Sequence, residues 1–242
     1  MNIVIFTTPT KHHIYFVNKV YKEFNISSVI YERRTLLKKY STGPFYDNEQ
    51  DKYEELFFDK ASGGVERTYP KELDRKVITI YGVNQQGLDA YLNALAPDVV
   101  VVYGTGIIYR HLVNLPKRGM INLHGGLTQF YRGLDSTLWA FYHKDFENIG
   151  ITIHYVEPEL DAGDILSQRR ISVEKTDEIY HFRYKITKQA TEMTLNLLKK
   201  FSKHRDRLEA VPTQPKGRYF SAMDLQRKFI ALKNLKEYQK RL

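Results

Sequence analysis

The sequence predicts an α/β fold: a mostly parallel sheet with flanking helices and a small helical extension at its carboxyl end. Two observations point there. Over roughly the first 150 residues, short β-branched runs alternate with amphipathic helical patterns, as βαβ units do. The 242 residues, 42% of them apolar, also suffice for one large domain with a buried core.

"NIVIF", directly after Met1, is the first strand, and Ile14, Val17, Tyr21 and Phe24 follow it at helical spacing. "SVIY" and "VITIY" supply two more strands, Leu88, Tyr91 and Leu95 a second helical stripe, and "DVVVVY" and "MINLH" two further strands. Between Arg33 and Arg75, acidic, aromatic and glycine residues interrupt this alternation. That stretch reads as an irregular insertion with one helix near Asn48–Phe58. After Gly150, "ITIHYV" and "DILSQRRISV" flank the turn "EPELDAG", which suggests a hairpin-like return at the sheet edge. Ile186, Ala190, Met193, Leu197 and Phe201 mark a long helix, and Leu225, Phe229, Leu232, Leu235, Tyr238 and Leu242 mark another. The connector "PTQPKGRYF" joins them. The expected division is a main domain over residues 1–200 and a basic extension over 201–242.

Composition narrows the function classes. The chain has no cysteine, which excludes disulfides, thiolate metal sites and a cysteine nucleophile. The start of the chain has no basic leader, and no apolar run is long enough to span a bilayer, so a cytoplasmic protein without a membrane partner is expected. The net charge of +9 is not spread evenly. Residues 199–242 hold thirteen Lys/Arg against four Asp/Glu, whereas residues 1–198 hold twenty-four of each. A basic tail invites a nucleic-acid reading. Yet Lys228, Lys233, Lys236 and Lys240 fall around the apolar stripe of the last helix, the pattern of a docked helix with a solvated face, packed on the body or on a second subunit.

The first strand leads into "TTPTKHH", with no glycine, which argues against a nicotinamide cofactor. "GTG" at Gly104–Gly106 follows a strand but lacks the third glycine of that fingerprint. Asn122 and His124 lie two apart on a strand, so their side chains share one face at its carboxyl end. An amide beside an imidazole suits acyl transfer, one stabilising an oxyanion while the other handles a proton. Asp161, in "LDAGD", is the candidate third group that would orient the histidine. The same residues also fit a satisfied core histidine and an Asx-turn former, and the pair alone favours that plainer reading.

A longer pattern changes the weighing. "DVVVVYGTGIIYRHLVNLPKRGMINLHGGLTQFYRG", "GITIHYVEPELDAGDIL" and "QPKGRYF" together resemble the formyltransferases that use 10-formyltetrahydrofolate, a family with methionyl-tRNA, glycinamide ribonucleotide and amino-sugar-nucleotide members. The match is closest from Asp98 to Leu166. The resemblance implies a Rossmann-like sheet and a catalytic triad of Asn122, His124 and Asp161. It implies that Tyr103, Gly104, Thr105, Gly106, Ile107 and Ile108 cradle the pterin, largely through backbone groups, and that no metal takes part. Lys11, His12, Gly125, Gly126, Tyr131 and Arg132 would then face the acceptor amine. Arg132 fits a phosphate ligand and a structural ion pair equally, and Asp135 is placed to cap the next helix.

One departure stands out. Many members have Ser-Leu-Leu-Pro after the histidine, and this chain has Gly125, Gly126, Leu127 and Thr128, which opens the loop beside the acceptor. Trp139 and Phe141 read as helix packing and His154 as strand lining. His111, His143, His181 and His204 show no metal-ligand spacing. The resemblance thus implies formyl transfer to an amino sugar on a nucleotide, since 242 residues leave little room for a tRNA-binding domain. The alternatives are glycinamide ribonucleotide or another small amine as acceptor, a formyltetrahydrofolate hydrolase, or, in a different class, nucleic-acid binding through the basic tail.

Overall fold

The computed structural model describes residues 1–33, 45–60, 68–213 and 215–242. Gln214 of the connector, and much of the insertion expected between Arg33 and Arg75, lie outside the described residues. The framework is a seven-stranded sheet. Its strands are β1 (Ile3–Thr7), β2 (Ile26–Glu32), β3 (Val77–Ile80), β4 (Val99–Val102), β5 (Met120–His124), β7 (Gly150–Tyr155) and β8 (Ile165–Arg170), in the spatial order β3-β2-β1-β4-β5-β7-β8. The first five are parallel, and β7 and β8 add antiparallel to β5 as the edge return that the sequence suggests. A separate pair, β6 (Tyr131–Gly133) and β9 (Arg218–Phe220), is parallel.

Alternation along the strands sorts two cores. Ile3, Ile5, Val99, Val101, Ile121, Leu123, Ile151 and Ile153 point to the face covered by α1 (Lys11–Glu23) and α7 (His181–Lys203). Val4, Phe6, Ile30, Val100, Val102 and Met120 point the other way, against α4 (Leu88–Leu95) and α5 (Arg110–Val113). Strands buried on both faces read as continuous Val/Ile runs, which is why "VVVV" carries no polar residue. The expected stripe of α7 is buried throughout. On α1 the buried face is His13, Phe16, Val17, Asn18 and Val20, one step from the expected stripe, because helix and sheet together enclose it.

The helix expected near Asn48–Phe58 is α2 (Phe45–Glu54), which continues as a π-helical turn over Glu55–Lys60. A one-turn α3 (Lys71–Asp74) precedes β3. The third core joins α6 (Ser136–Tyr142) to α8 (Leu225–Gln239) through Leu138, Phe141, Phe182, Met223, Ala231 and Leu235. Here the stripe read from the sequence is corrected. The buried face of α8 is Lys228, Ala231, Asn234, Leu235 and Gln239, while Phe229 is 50% and Leu242 54% exposed. Polar anchors set this rotation: Asn234 donates to the carbonyls of Phe141 and Tyr142, and Gln239 to those of Glu174 and Asp177. Lys228, expected on the solvated face, is therefore buried.

Candidate active site

The chain leaves β1 toward β2 and β3 and returns to β4 on the other side of β1, so the loops after β1 and β4 diverge and open a crevice at the strands' carboxyl ends. A cavity of about 530 Å³ lies there, within the range usual for small-molecule sites. Tyr103, Gly104, Thr105, Gly106, Ile107 and Ile108 all line it. Their loop is braced from below. Glu32, at the end of β2, accepts from Gly106 N at 2.7 Å and Val83 N at 3.1 Å. Asn84 donates to Ile107 O and accepts from Tyr109 N. Gly104 has φ +81, and a Cβ there would stand 2.5 Å from the His13 ring, so only glycine fits. The Tyr103 hydroxyl pairs with Thr187 Oγ1, and burial pushes its pKa up to about 12.

Asn122, His124 and Asp161 converge on this cavity. Ile121 and Leu123 fill the α1/α7 core, which turns Asn122 and His124 to the opposite face. Asp161 arrives from the turn after β7 with φ 50, a left-handed conformation that Asp tolerates better than most residues. Its Oδ2 accepts from Gly133 N at 2.8 Å and lies 3.4 Å from His124 Nδ1. Its Oδ1 accepts from Asn122 Nδ2 at 3.2 Å and lies 3.5 Å from His154 Nε2. Burial alone would raise the Asp161 carboxyl. The charge of His124, the contacts of His154 and the Gly133 amide outweigh it and hold the group well below the usual carboxylate range.

His124 Nε2 is 2.9 Å from the Tyr131 carbonyl oxygen and 3.3 Å from Ser136 Oγ. A carbonyl only accepts, so Nε2 carries a proton. A Cβ on Gly126 would sit 2.7 Å from that nitrogen and from Ser136 Cβ, so the second glycine of the pair admits the histidine to its site. Gly125 alone of the two lines the cavity.

The other residues expected at the acceptor divide. His12 lines the cavity, whereas Lys11, Tyr131 and Arg132 do not. Lys11 lies 4.0 Å from Glu55. Tyr131 donates its hydroxyl to Asp145. Arg132 donates to Gly217 O at 2.8 Å, Glu159 Oε1 at 2.7 Å and Leu160 O at 3.2 Å, so it clamps the turn that carries Asp161. Asp135 does not cap α6. Its φ of 53 turns the carboxylate away from the helix start, and it accepts instead from Met223 N ahead of α8.

Several wall residues were not assigned to the site from the sequence, among them His13, which follows Lys11 and His12 in the loop that the sequence places near an anionic acceptor. His154 faces Asn122 across the β5/β7 register, and only strand pairing reveals that. His13 takes Thr8 and Thr10 hydroxyls on its Nδ1, and burial lowers its pKa to about 3. Beside it Arg183 forms a two-pronged ion pair with buried Glu54. Lys228 and Ala222 bring the carboxyl-terminal segment into the wall. Among the described residues, no group of three or more His, Asp or Glu could hold a metal ion, and no helix is long and apolar enough to cross a membrane.

The arrangement is a buried carboxylate ringed by two imidazoles and an amide at one end of a roomy cavity, with a backbone-lined loop beside it. Comparison with known proteins gives it a family. A methionyl-tRNA formyltransferase of Thermosynechococcus vestitus is 32% identical over 112 residues, 46% of this chain and 34% of that protein. The bifunctional polymyxin resistance protein ArnA of Wigglesworthia glossinidia brevipalpis is 34% identical over 110 residues, 44% of this chain and 17% of that protein. The matched region thus spans about a third or less of these relatives. Among solved structures, a sugar N-formyltransferase from a Shewanella species aligns with a TM-score of 0.60 at 17% identity, covering 97% of this chain and 87% of that one. The formyltransferase PseJ of Anoxybacillus kamchatkensis, solved with UDP-4,6-dideoxy-4-formamido-L-AltNAc and tetrahydrofolate, aligns with a TM-score of 0.54 at 18% identity, covering 91% and 86%. These two share the fold. The family model described as formyl transferase matches residues 60–198, more than half of the sequence, and the chain belongs to that formyl transferase family.

Proposed function

We propose that this protein transfers a formyl group from 10-formyltetrahydrofolate to a primary amine, and that the amine is an amino sugar carried on a nucleotide. The observation that carries this reading is the convergence of Asn122, His124 and Asp161 on one cavity wall, next to the loop Tyr103–Ile108. The braced backbone of that loop would hold the pterin. The acceptor's nitrogen lone pair would attack the formyl carbon, forming a C–N bond as the carbonyl pair moves to oxygen. Collapse would then break the bond to N10, which gains a proton as the former amine loses one, giving a formamide and tetrahydrofolate.

Asn122, His124 and Asp161 would act as one unit. Asp161, held ionised, fixes His124 and Asn122, and these stand beside the developing charge. The acceptor assignment draws on two supports. A structural neighbour was solved with a formamido sugar on UDP. In this chain, Lys228 from α8 and Arg183 at the start of α7, the latter paired with Glu54, bring basic side chains into the cavity wall.

The test is to incubate purified protein with 10-formyltetrahydrofolate and a panel of amino-sugar nucleotides, glycinamide ribonucleotide and methionyl-tRNA, read by mass spectrometry. A mass gain of one formyl group on an amino-sugar nucleotide is expected. Preferential formylation of methionyl-tRNA or glycinamide ribonucleotide would reassign the acceptor, and folate hydrolysis without any formylated amine would replace transfer by hydrolysis.

A further inference from the structure

His154 is buried on β7, directly across from Asn122 in the antiparallel register. Its Nδ1 lies 2.7 Å from the Tyr155 carbonyl oxygen. That oxygen can only accept, so Nδ1 carries a proton. In the neutral ring Nε2 is then bare, and it meets Asn122 Nδ2 at 3.1 Å as an acceptor. The second N–H of the same amide goes to Asp161 Oδ1 at 3.2 Å. Both amide hydrogens are consumed inside the protein. Asn122 Oδ1 has no hydrogen-bond partner among the described residues, on a half-buried side chain that lines the cavity. His124 is occupied as well, with Nε2 on the Tyr131 carbonyl and Nδ1 beside Asp161. With His154 neutral, therefore, the Asn122 amide shows the cavity an acceptor, although formyl transfer builds negative charge on an oxygen that needs a donor.

We propose that His154 is a positioning residue that decides which end of the Asn122 amide faces the reacting formyl group. This rests on the formyl-transfer reading above for its consequence, though not for its geometry. With Nε2 bare, Asn122 presents Oδ1, which accepts an N–H of the incoming amine and orients its lone pair. With Nε2 protonated, the ring can no longer accept from Asn122. The amide then turns about its last side-chain bond and gives up its hydrogen bond to Asp161 Oδ1; its oxygen and that carboxylate share the His154 Nε2–H, and its NH2 group meets the formyl oxygen as it becomes an oxyanion.

Charged and titratable groups face His154 from the elements around it. From the turn after β7 the Asp161 carboxylate stands 3.5 Å from Nε2. His124 on β5 lies behind the same carboxylate and competes for it. Glu157 stands further along the cavity wall, and the paired position on β8 is apolar Ile165. A residue filling a strand would need none of this. An aliphatic side chain would pack there without leaving two ring nitrogens to be satisfied.

Two measurements test the proposal. The first needs no substrate: nitrogen-15 NMR of the intact protein, following His154 and the Asn122 side-chain amide as pH is lowered. At high pH His154 should be the Nδ1-protonated tautomer, and the Asn122 amide signals should move with the midpoint at which His154 takes its second proton. In His154→Gln, whose amide oxygen can accept but cannot be protonated, those signals should stay in the high-pH form. An Nε2-protonated neutral tautomer, or Asn122 signals indifferent to His154, would overturn the proposal.

The second is the pH profile of kcat with whichever amine the panel identifies. His154→Gln should lower kcat on the order of a hundredfold, as loss of one oxyanion donor does. It should also remove the limb of the profile that belongs to His154, with little change in KM for the folate. An unchanged profile in a folded His154→Gln protein, checked by circular dichroism, would reduce His154 to a packing residue. If no amine is formylated, the functional reading fails, and the NMR titration still decides the amide's orientation.

Discussion

Asp161 is the residue on which the site turns, because one carboxylate accepts from the Asn122 and Gly133 amides and stands against the rings of His124 and His154. Removing it leaves the Asn122 and Gly133 amides without their acceptor and takes the carboxylate away from both imidazoles, so its loss disorders the others instead of deleting one contact. Asn122→Ala, His124→Ala and Asp161→Ala are each expected to cut turnover on the order of a hundredfold or more. On the proposal that the three act as a unit, the His124/Asp161 double variant should lose far less than the product of the single losses. Steady-state kinetics on folded variants checks this, and multiplicative losses would show that the residues act independently. Arg132 contributes at one remove, since its contacts to Gly217 O, Glu159 and Leu160 O hold the turn from which Asp161 projects.

Among the elements, α8 differs most from its sequence pattern. Its amino acids place Leu225, Phe229, Leu232 and Leu235 on one stripe, yet the docked face centres on Ala231 and Leu235 with Lys228, Asn234 and Gln239. The small side chain of Ala231 allows close approach to α6, and the two amides find carbonyls that only the folded partner supplies. Leu235→Ala should therefore destabilise the protein by about 2–5 kcal/mol, as for a buried leucine. Phe229→Ala, at a half-exposed position, should change stability by no more than about 0.5 kcal/mol. Urea melts of the two variants separate the docked face from the sequence stripe, and the reverse order of effects would restore the stripe. The same docking makes the basic segment part of the cavity wall, through Ala222 and Lys228.

At the scale of the molecule, the strand order fixes where the cavity opens, and its rim carries a cost that depends on pH. Burial lowers the pKa of His12 well below the ordinary 6.5 and that of His13 to about 3, with neighbouring positive charge adding to the shift at His12. Both are neutral in the folded protein while the unfolded chain binds protons from about pH 6.5 downward. The unfolded state thus binds more protons, and stability falls as pH drops below 6.5, for His13 down to about 3, by up to about 1.4 kcal/mol per pH unit for each histidine still neutral in the fold. Asp161 has the depressed pKa of a paired carboxylate. Its contribution is complete above the ordinary 3.8 and is lost only below it, so it does not account for a decline that begins near neutrality. Melting temperatures between pH 7.5 and 4.5 should show that decline, and a double variant His12→Gln/His13→Asn should flatten it. A flat wild-type profile over this range would show that these histidines ionise in the fold.

The sequence by itself determined the strand-helix alternation, the antiparallel return after Gly150, the long buried face of α7, and Asn122 and His124 on one face of a strand. Those are local matters of side-chain period and β-branching, which a chain carries wherever it sits. Its longer pattern also pointed to the formyl transferase family. Only the tertiary structure decided that His154 stands opposite Asn122, that Arg132 clamps a turn, that Asp135 ties α8 instead of capping α6, and that Lys228 is buried in the cavity wall. Each depends on a partner far away in the chain, His154 on a register 32 residues apart and Asp135 on an amide 88 residues on. A polar side chain's role is set by which donors and acceptors surround it, and those neighbours exist only once strands pair and helices dock.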